Sequence, residues 1–360
     1  MLGAVVLIAG GCGGDDDEAA PAESTPAETS AEEPAAADED RVIGYSNPLA
    51  SEEGLRAVGY GFQQAVEALG LTWTVDELDA ALSPDKQVAD VDTFVSGGAD
   101  GVVSWTLDPG AADAAYQRAS EAGVPVVGVN SESDFFVSQV MANTDTTCIV
   151  AEEQAQFIAD NAPGARVLAI GGPPVPSITL TTQCFLDAAN ELGLEIIDQQ
   201  DDLTGTEAGG QEIMESLLLK YQDFDALWSF SDSTTLGAVA AIVADGRDIR
   251  TVEEDEGIIV LSRNGVQAAI DAIEAGQLTA TWDNNQPLVG AAAAQLLKYH
   301  YVDGVPLEEL PTQVNIPSKR WDLTNLDEYA GPLEREVPLP IPDSCPDDGC
   351  PSEIDSTVTG

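Results

Sequence analysis

Apolar and polar positions alternate in blocks along most of the chain. The stretch from Gly257 to Tyr299 shows the rule best. Ile258, Ile259, Val260 and Leu261 form a short apolar run between turn-prone residues, the pattern of a strand buried on both faces. A polar corner follows at Ser262, Arg263, Asn264 and Gly265. Val266, Ala269, Ile270 and Ile273 then recur at helical spacing, and Gly276 stops the helix. Residues 278–282 predict another strand, which runs into Asp283, Asn284, Asn285 and Gln286. Pro287 suits the first turn of a helix carrying Leu288, Ala291, Ala292, Leu296 and Leu297. Two successive strands thus end in clusters of hydrogen-bonding side chains. Ligands sit at the carboxyl ends of strands in open α/β sheets, so this stretch reads as site-forming.

The same rhythm begins at Arg41. Strands are predicted at 42–45, 71–75, 101–106, 124–129 and 137–141. Leu55, Val58, Phe62, Ala65, Val66 and Leu69 make one helix face, and Val88, Val91, Phe94 and Val95 another. A third helix spans 110–122. The corners are Ser46-Asn47-Pro48, Trp105 to Pro109, and Asn130-Ser131. The pattern restarts with helix 147–160, strand 166–170, helix 178–192, strand 194–198, helix 208–221 and strand 225–230. That last strand ends at Ser231-Asp232-Ser233, before helix 234–244. Repeated βαβ units predict an α/β fold with mostly parallel sheets and helices on both faces. Residues 321–360 are rich in Pro, Asp and Glu and predict an irregular tail.

Composition narrows the function. A chain of 360 residues is long enough for two lobes with real cores. Its formal charge of −51, from 64 acids against 13 bases, excludes an extended nucleic-acid interface, which needs a basic stripe. The acid excess reads equally as adaptation to a salty medium, where screening quiets self-repulsion, or as general compositional bias. Residues 2–8 are apolar and lead to Ala9, Gly10, Gly11 and Cys12. This resembles the lipobox of bacterial lipoproteins, so 1–12 is read as a signal segment with Cys12 lipidated. The basic residues expected at the start of such a signal are missing, which points to a true start upstream. Residues 13–40 have almost no apolar bulk and read as a disordered acidic tether.

Lipidation of Cys12 leaves four cysteines, an even number suited to an oxidising compartment. Cys148 with Cys184, and Cys345 with Cys350, are the expected bridges; buried free thiols are the alternative. His300 is the only histidine, and no nucleophile elbow or phosphate-binding loop is present. The expectation is a protein that is not an enzyme and needs neither cofactor nor metal.

The order of elements and corners resembles type I periplasmic sugar-binding proteins, the ribose-binding-like receptors of ABC transporters. The matching stretches are VIGYSNPLASEEGLRAVGYGFQQAVEALG, ADGVVSWTLDPGAADAAYQRASEAGVPVVGVN, DALWSFSDSTTLGAVAAI and GIIVLSRNGVQAAIDAIEAGQLTATWDNNQPLVGAAAA. The resemblance implies two Rossmann-like lobes joined by a hinge of three crossings, near 143–145, 284–286 and 310–312. The first lobe would be 41–144 plus 285–311, and the second 145–284 plus 312–320. It implies ligand contacts from Ser46, Asn47, Leu49, Asn130, Ser131, Ser231, Asp232, Asn264 with Arg263 beside it, and Asn284. The ribose receptors carry Asp and Arg where Asn130 and Ser131 stand, and Thr179 stands where many members have arginine. A neutral polyhydroxyl ligand is therefore expected, in a pocket with fewer charges.

Aromatic faces for a ring would come from Trp105, Trp282, Tyr45 or Phe135. For several of these residues a plain structural role is open: turn capping for Asn130 and Asn264, a helix N-cap for Asp232, core packing for the tryptophans and surface pairing for Arg263. The implied partners are an ABC permease and, through the lipid anchor, a membrane, with the protein a monomer. A sensing receptor of the same fold and a secreted carbohydrate hydrolase are the competing readings.

Overall fold

The computed structural model describes residues 39–143 and 147–337. The candidate signal segment with Cys12, nearly all of the acidic tether, and Cys345 and Cys350 lie outside the described residues.

The first run of elements is β1 (Val42–Asn47), α1 (Glu53–Ala68), β2 (Thr74–Asp79), α2 (Pro84–Gly97), β3 (Gly101–Ser104), α3 (Pro109–Glu121), β4 (Val126–Val129) and β5 (Ser138–Ala142). The second is α4 (Ile149–Asn161), β6 (Arg166–Gly171), α5 (Pro176–Glu191), β7 (Glu195–Asp201), α6 (Glu207–Lys220), β8 (Ala226–Ser229), α7 (Asp232–Ala244), β9 (Ile259–Asn264), α8 (Gln267–Glu274) and β10 (Ala280–Asp283). The chain closes with α9 (Gln286–Tyr301), β11 (Gln313–Ile316) and β12 (Lys319–Trp321).

Two six-stranded sheets result, in the orders β11-β5-β4-β3-β1-β2 and β12-β10-β9-β8-β6-β7. Every pairing is parallel except β10 with β12. The buried strands β3, β4, β8 and β10 have no exposed position, as sheets covered on both faces require. Helices start where local chemistry satisfies their free N–H groups. Ser83, Asp108, Thr206 and Ser231 accept backbone N–H bonds at the caps of α2, α3, α6 and α7, and proline opens α2, α3, α5 and α9.

Each lobe has a core on either face of its sheet. In the first, α1 and α9 cover one side, while Val91, Phe94, Ala115 and Tyr116 of α2 and α3 pack on the other. In the second, α6, α7 and α8 cover one side and α4 and α5 the other. Cys148 and Cys184 form a disulfide that ties α5 to the chain just ahead of α4, with Cα atoms 5.3 Å apart.

Paired glycines set two helix contacts that bear on the site. A Cβ on Gly61 of α1 would lie 1.8 Å from the Pro287 carbonyl oxygen, and one on Gly290 of α9 would lie 1.8 Å from that of Val58. In the second lobe a Cβ on Gly210 would lie 2.0 Å from the Thr234 oxygen, and one on Gly237 would lie 1.8 Å from that of Glu207. Only glycine lets these backbones touch. The contacts fix the first turns of α9 and α7, which carry Gln286 and Asp232.

The chain leaves the first sheet after β5 and enters the second lobe at α4. It returns between β10 and α9, since α9 packs in the first core. The third crossing differs from the expectation at 310–312. Residues Gln313–Ile316 pair with β5 in the first sheet, so the chain crosses at Pro317 and Ser318. The segment 312–316 therefore belongs to the first lobe. The described part of the tail, residues 321–337, is also more ordered than expected. Its first residue, Trp321, ends β12, and Leu326–Glu328 form a 3-10 turn. Leu323, Leu326 and Tyr329 pack on the second core, while Val337 packs on the first.

Candidate functional site between the lobes

The carboxyl ends of β1, β3 and β4 deliver the first lobe's corners, and those of β8, β9 and β10 the second's. A cleft of about 300 Å³ opens at these corners, lined by Glu52, Glu53, Gly54, Leu55, Trp105, Asp232, Ser233, Asn264, Val266, Asp283, Asn284, Gln286 and Pro332. Larger grooves exist on the outer surfaces, such as one of about 780 Å³ lined by Glu152, Phe157 and Arg320, but they lie away from the paired strand ends. The cleft is the concavity that the topology itself creates.

Four of the sequence candidates line it: Trp105, Asp232, Asn264 and Asn284. Asp232 is 1% exposed and densely bonded. One carboxylate oxygen accepts from Ser262 Oγ and, at 2.7 Å, from Thr281 Oγ1; the other accepts from Val266 N at 2.9 Å. Burial pushes its pKa up to about 6, against the opposing effect of these hydrogen bonds. The N-cap of α7 is Ser231, whose Oγ accepts from Thr234 N at 3.4 Å; Asp232 is the first helical residue instead. Asn264 holds a φ of 111°, and its Oδ1 accepts from Asp232 N at 3.4 Å. Few side chains other than asparagine tolerate positive φ. Gly265 follows at φ 69°, where a Cβ would fall 2.6 Å from that of Asp283.

The other candidates do not line the cleft. Ser46 and Asn47 are fully buried. Ser46 Oγ accepts from Gln87 Nε2 at 3.2 Å. Asn47 Nδ2 donates to Glu77 Oε1 at 2.7 Å, and its Oδ1 accepts from Leu49 N. Ser131 Oγ is engaged by Val129 O, Ser104 O and Thr106. The Arg263 guanidinium is buried and donates through Nε to Phe230 O at 3.0 Å. Asn130 sits one step back. Its Oδ1 accepts from Ala142 N at 2.7 Å and its Nδ2 donates to Gln286 Oε1 at 2.9 Å, which orients a residue that does line the cleft.

Among the aromatic candidates only Trp105 is in the lining. Trp282 is a core residue whose Nε1 donates to Glu153 at 3.0 Å, and Tyr45 is buried with its hydroxyl on Leu55 O. Phe135 packs beside the α2–α3 core. His300 is likewise structural, with Nδ1 2.9 Å from Val305 O.

Sequence reasoning placed Gln286 in the polar corner after β10 without naming it a ligand contact, and it missed Glu52, Glu53 and Pro332. Gln286 is 6% exposed; its Oε1 is held by Asn130 while its Nε2 has no protein partner. Its place as the last residue of the Asp283–Gln286 corner was the available signal. Asp283 also lines the cleft, with its charge met by Arg335 Nη2 at 2.5 Å. The arrangement offers acceptors on carboxylates, donors on amides and one aromatic face. Among the described residues no cluster of His, Cys, Asp or Glu is arranged to hold a metal ion, and no helix is long and apolar enough to cross a membrane.

Two parallel α/β lobes, three crossings and a polar cleft at facing strand ends define a two-lobed solute receptor of the type I class. The chain belongs to the periplasmic binding protein domain family, whose model matches residues 43–304. It is 28% identical over 220 residues to the ribose import binding protein of Bacillus subtilis (strain 168), covering 61% of this chain and 68% of that protein. The fold is similar to the crystal structure of a periplasmic ribose ABC transporter from Conexibacter woesei, with a TM-score of 0.72 and 20% identity over 82% of this chain and 96% of that one. It is also similar to a Caulobacter myo-inositol binding protein bound to myo-inositol, with a TM-score of 0.65 and 22% identity over 81% and 95% of the two chains.

Proposed function

We propose that this protein is an extracytoplasmic lipoprotein that captures a small neutral sugar or polyol and delivers it to an ABC permease. The observation that carries this reading is the cleft. Trp105 comes from the first lobe, Asp232, Asn264 and Asn284 from the second lobe and its hinge end, and Gln286 from the hinge side of α9. A hydroxyl both donates and accepts, so carboxylate and amide groups on rigid strand ends match it. The ring's C–H face meets the indole of Trp105. Glu52, Glu53 and Asp232 repel anions, which disfavours phosphorylated sugars. Because the two lobes supply different contacts, binding favours the closed arrangement. The names of the ribose- and myo-inositol-binding relatives support the ligand class, and Cys12 followed by an acidic tether supports the lipid anchor.

The test is a thermal-shift and calorimetric screen with D-ribose, L-arabinose, D-allose and myo-inositol, followed by small-angle scattering. At least one compound raises the melting temperature and shrinks the radius of gyration. A flat response to all of them overturns the ligand class. Mass spectrometry of the membrane fraction checks the anchor, and an unmodified Cys12 removes it.

A further inference from the structure

We propose that the segment 329–337 is a clasp joining the two lobes beside the hinge, and that through Pro332 and Arg335 it sets which ligands fit and how far the cleft opens. This rests on the cleft being the sugar site proposed above. The segment is held at three places. At its start, Tyr329 donates its hydroxyl to Gly265 O at 2.9 Å, in the corner beside Asn264, and its ring packs edge-on against Trp321 at 5.2 Å. In the middle, Pro332 is buried in the cleft wall, which it lines with half-buried Leu55 of the first lobe and Val266 of the second. At its end, Gln64 on α1 grips the backbone twice. Its Nε2 donates to Arg335 O at 3.0 Å, and its Oε1 accepts from Val337 N at 3.0 Å.

Arg335 ties this path to the hinge. Its Nη2 donates to Asp283 Oδ2 at 2.5 Å, and its Nη1 to Asn285 Oδ1 at 3.3 Å. Asp283 is 2% exposed and is the last residue of β10 before the crossing into α9. It also accepts from Trp321 Nε1 at 2.9 Å and, through its other oxygen, from Asn285 N at 2.7 Å. A buried carboxylate is costly without a cation, so Arg335 and the segment carrying it stay docked when Asp283 is in place. Opening the lobes moves Gln64 on the first relative to Tyr329 on the second. The clasp resists that motion. Pro332 meanwhile adds an apolar wall with no backbone donor, which bounds the space available beyond a single ring.

The experiment uses the full chain with Gln64→Ala, Arg335→Gln, Arg335→Lys and Pro332→Gly. Without ligand, scattering from Gln64→Ala and Arg335→Gln shows a larger radius of gyration, and Arg335→Lys restores most of the parent value. Titration with D-ribose, myo-inositol and the disaccharide maltose, carried out well below the lowered denaturation midpoint of Pro332→Gly, shows at least a tenfold shift toward the disaccharide for that variant. Parent-like scattering for Gln64→Ala and Arg335→Gln, or parent-like ligand preference for Pro332→Gly, overturns the proposal. If the parent itself binds none of the sugars, the ligand reading fails, while the ligand-free scattering still decides the clasp. Gln64→Ala lies on α1, outside the cleft lining, and keeps the test open should Arg335→Gln fold poorly.

Discussion

The two lobes are near copies that use equivalent corners differently. Strands β4 and β9 occupy the same place in their sheets; β9 ends in Asn264 and β4 is followed directly by Asn130, both at positive φ, 111° and 47°. In both, Oδ1 accepts a backbone N–H, from Ala142 in one lobe and Asp232 in the other. Both amides anchor a neighbouring backbone, yet Asn264 lines the cleft and Asn130 stands behind Gln286. The neighbour decides. In the first lobe α9 arrives through the hinge and places Gln286 over the corner, whereas in the second the helix after the corner starts beside it. A strand-end asparagine is thus a turn former first, and a ligand contact only where no other element covers it.

The largest break in this comparison comes from the paired glycines. Gly290→Ala and Gly237→Ala each push a methyl into a backbone carbonyl 1.8 Å away. Each variant should lose about 3 kcal/mol or more in urea unfolding, near the upper end for overpacked sites. Gly290→Ala should also weaken ligand binding, because it displaces Gln286. An unchanged midpoint for either would mean the helices can separate freely.

Next comes the disulfide, present in the second lobe and absent among the described residues of the first. Cys148 and Cys184 are 36 residues apart, and closing such a loop in the unfolded chain is worth about 3–4 kcal/mol in the chain-entropy model. Reduction should lower hydrogen-exchange protection in β6 and β8 and leave β1 and β3 nearly as before. Equal loss in both lobes would show them to unfold as one unit.

The buried Asp232 gives a pH signature to the second lobe. Its pKa rises from 3.8 to about 6 on folding, so between those values the folded state holds a proton that the unfolded state has released. Its contribution to stability is therefore present below about pH 4, declines as pH rises to 6, and is flat above that. The span is worth about 3 kcal/mol at most, from 1.4 kcal/mol per unit. Asp232→Asn should flatten this part of the stability–pH curve; an unaltered slope would assign it to other groups.

The smallest and most discriminating effect is Asn264→Ala against Asn130→Ala. Each loses a bond to the backbone of a neighbouring element at positive φ, costing stability on the order of 1–2 kcal/mol. Affinity for the bound sugar should fall tenfold or more for Asn264→Ala, and only a few-fold for Asn130→Ala, which acts through Gln286. Equal affinity losses would erase the distinction between the corners.

The alternation of apolar runs and helical faces was enough to place nearly every strand and helix, because burial on both sheet faces leaves a plain mark on composition. Edge strands were less legible. Leu71–Val75 looked like a strand, but β2 begins at Thr74, since its register follows the pairing of Thr74 with Val42 and its own positions are half exposed. Residues 313–316 and the tail were misread for a related reason. Their apolar positions are few and short-spaced, and they are ordered by pairing with β5 and by bonds to Asp283 and Gln64, all distant in sequence. The sequence by itself determined the α/β repeat, two lobes and the corners that would carry polar groups. Only the tertiary structure decided which corners face the cleft and that Gln286, Glu53 and Pro332 join them. Periodicity reports how a residue meets its own sheet, whereas exposure to a ligand depends on what the rest of the chain lays over it.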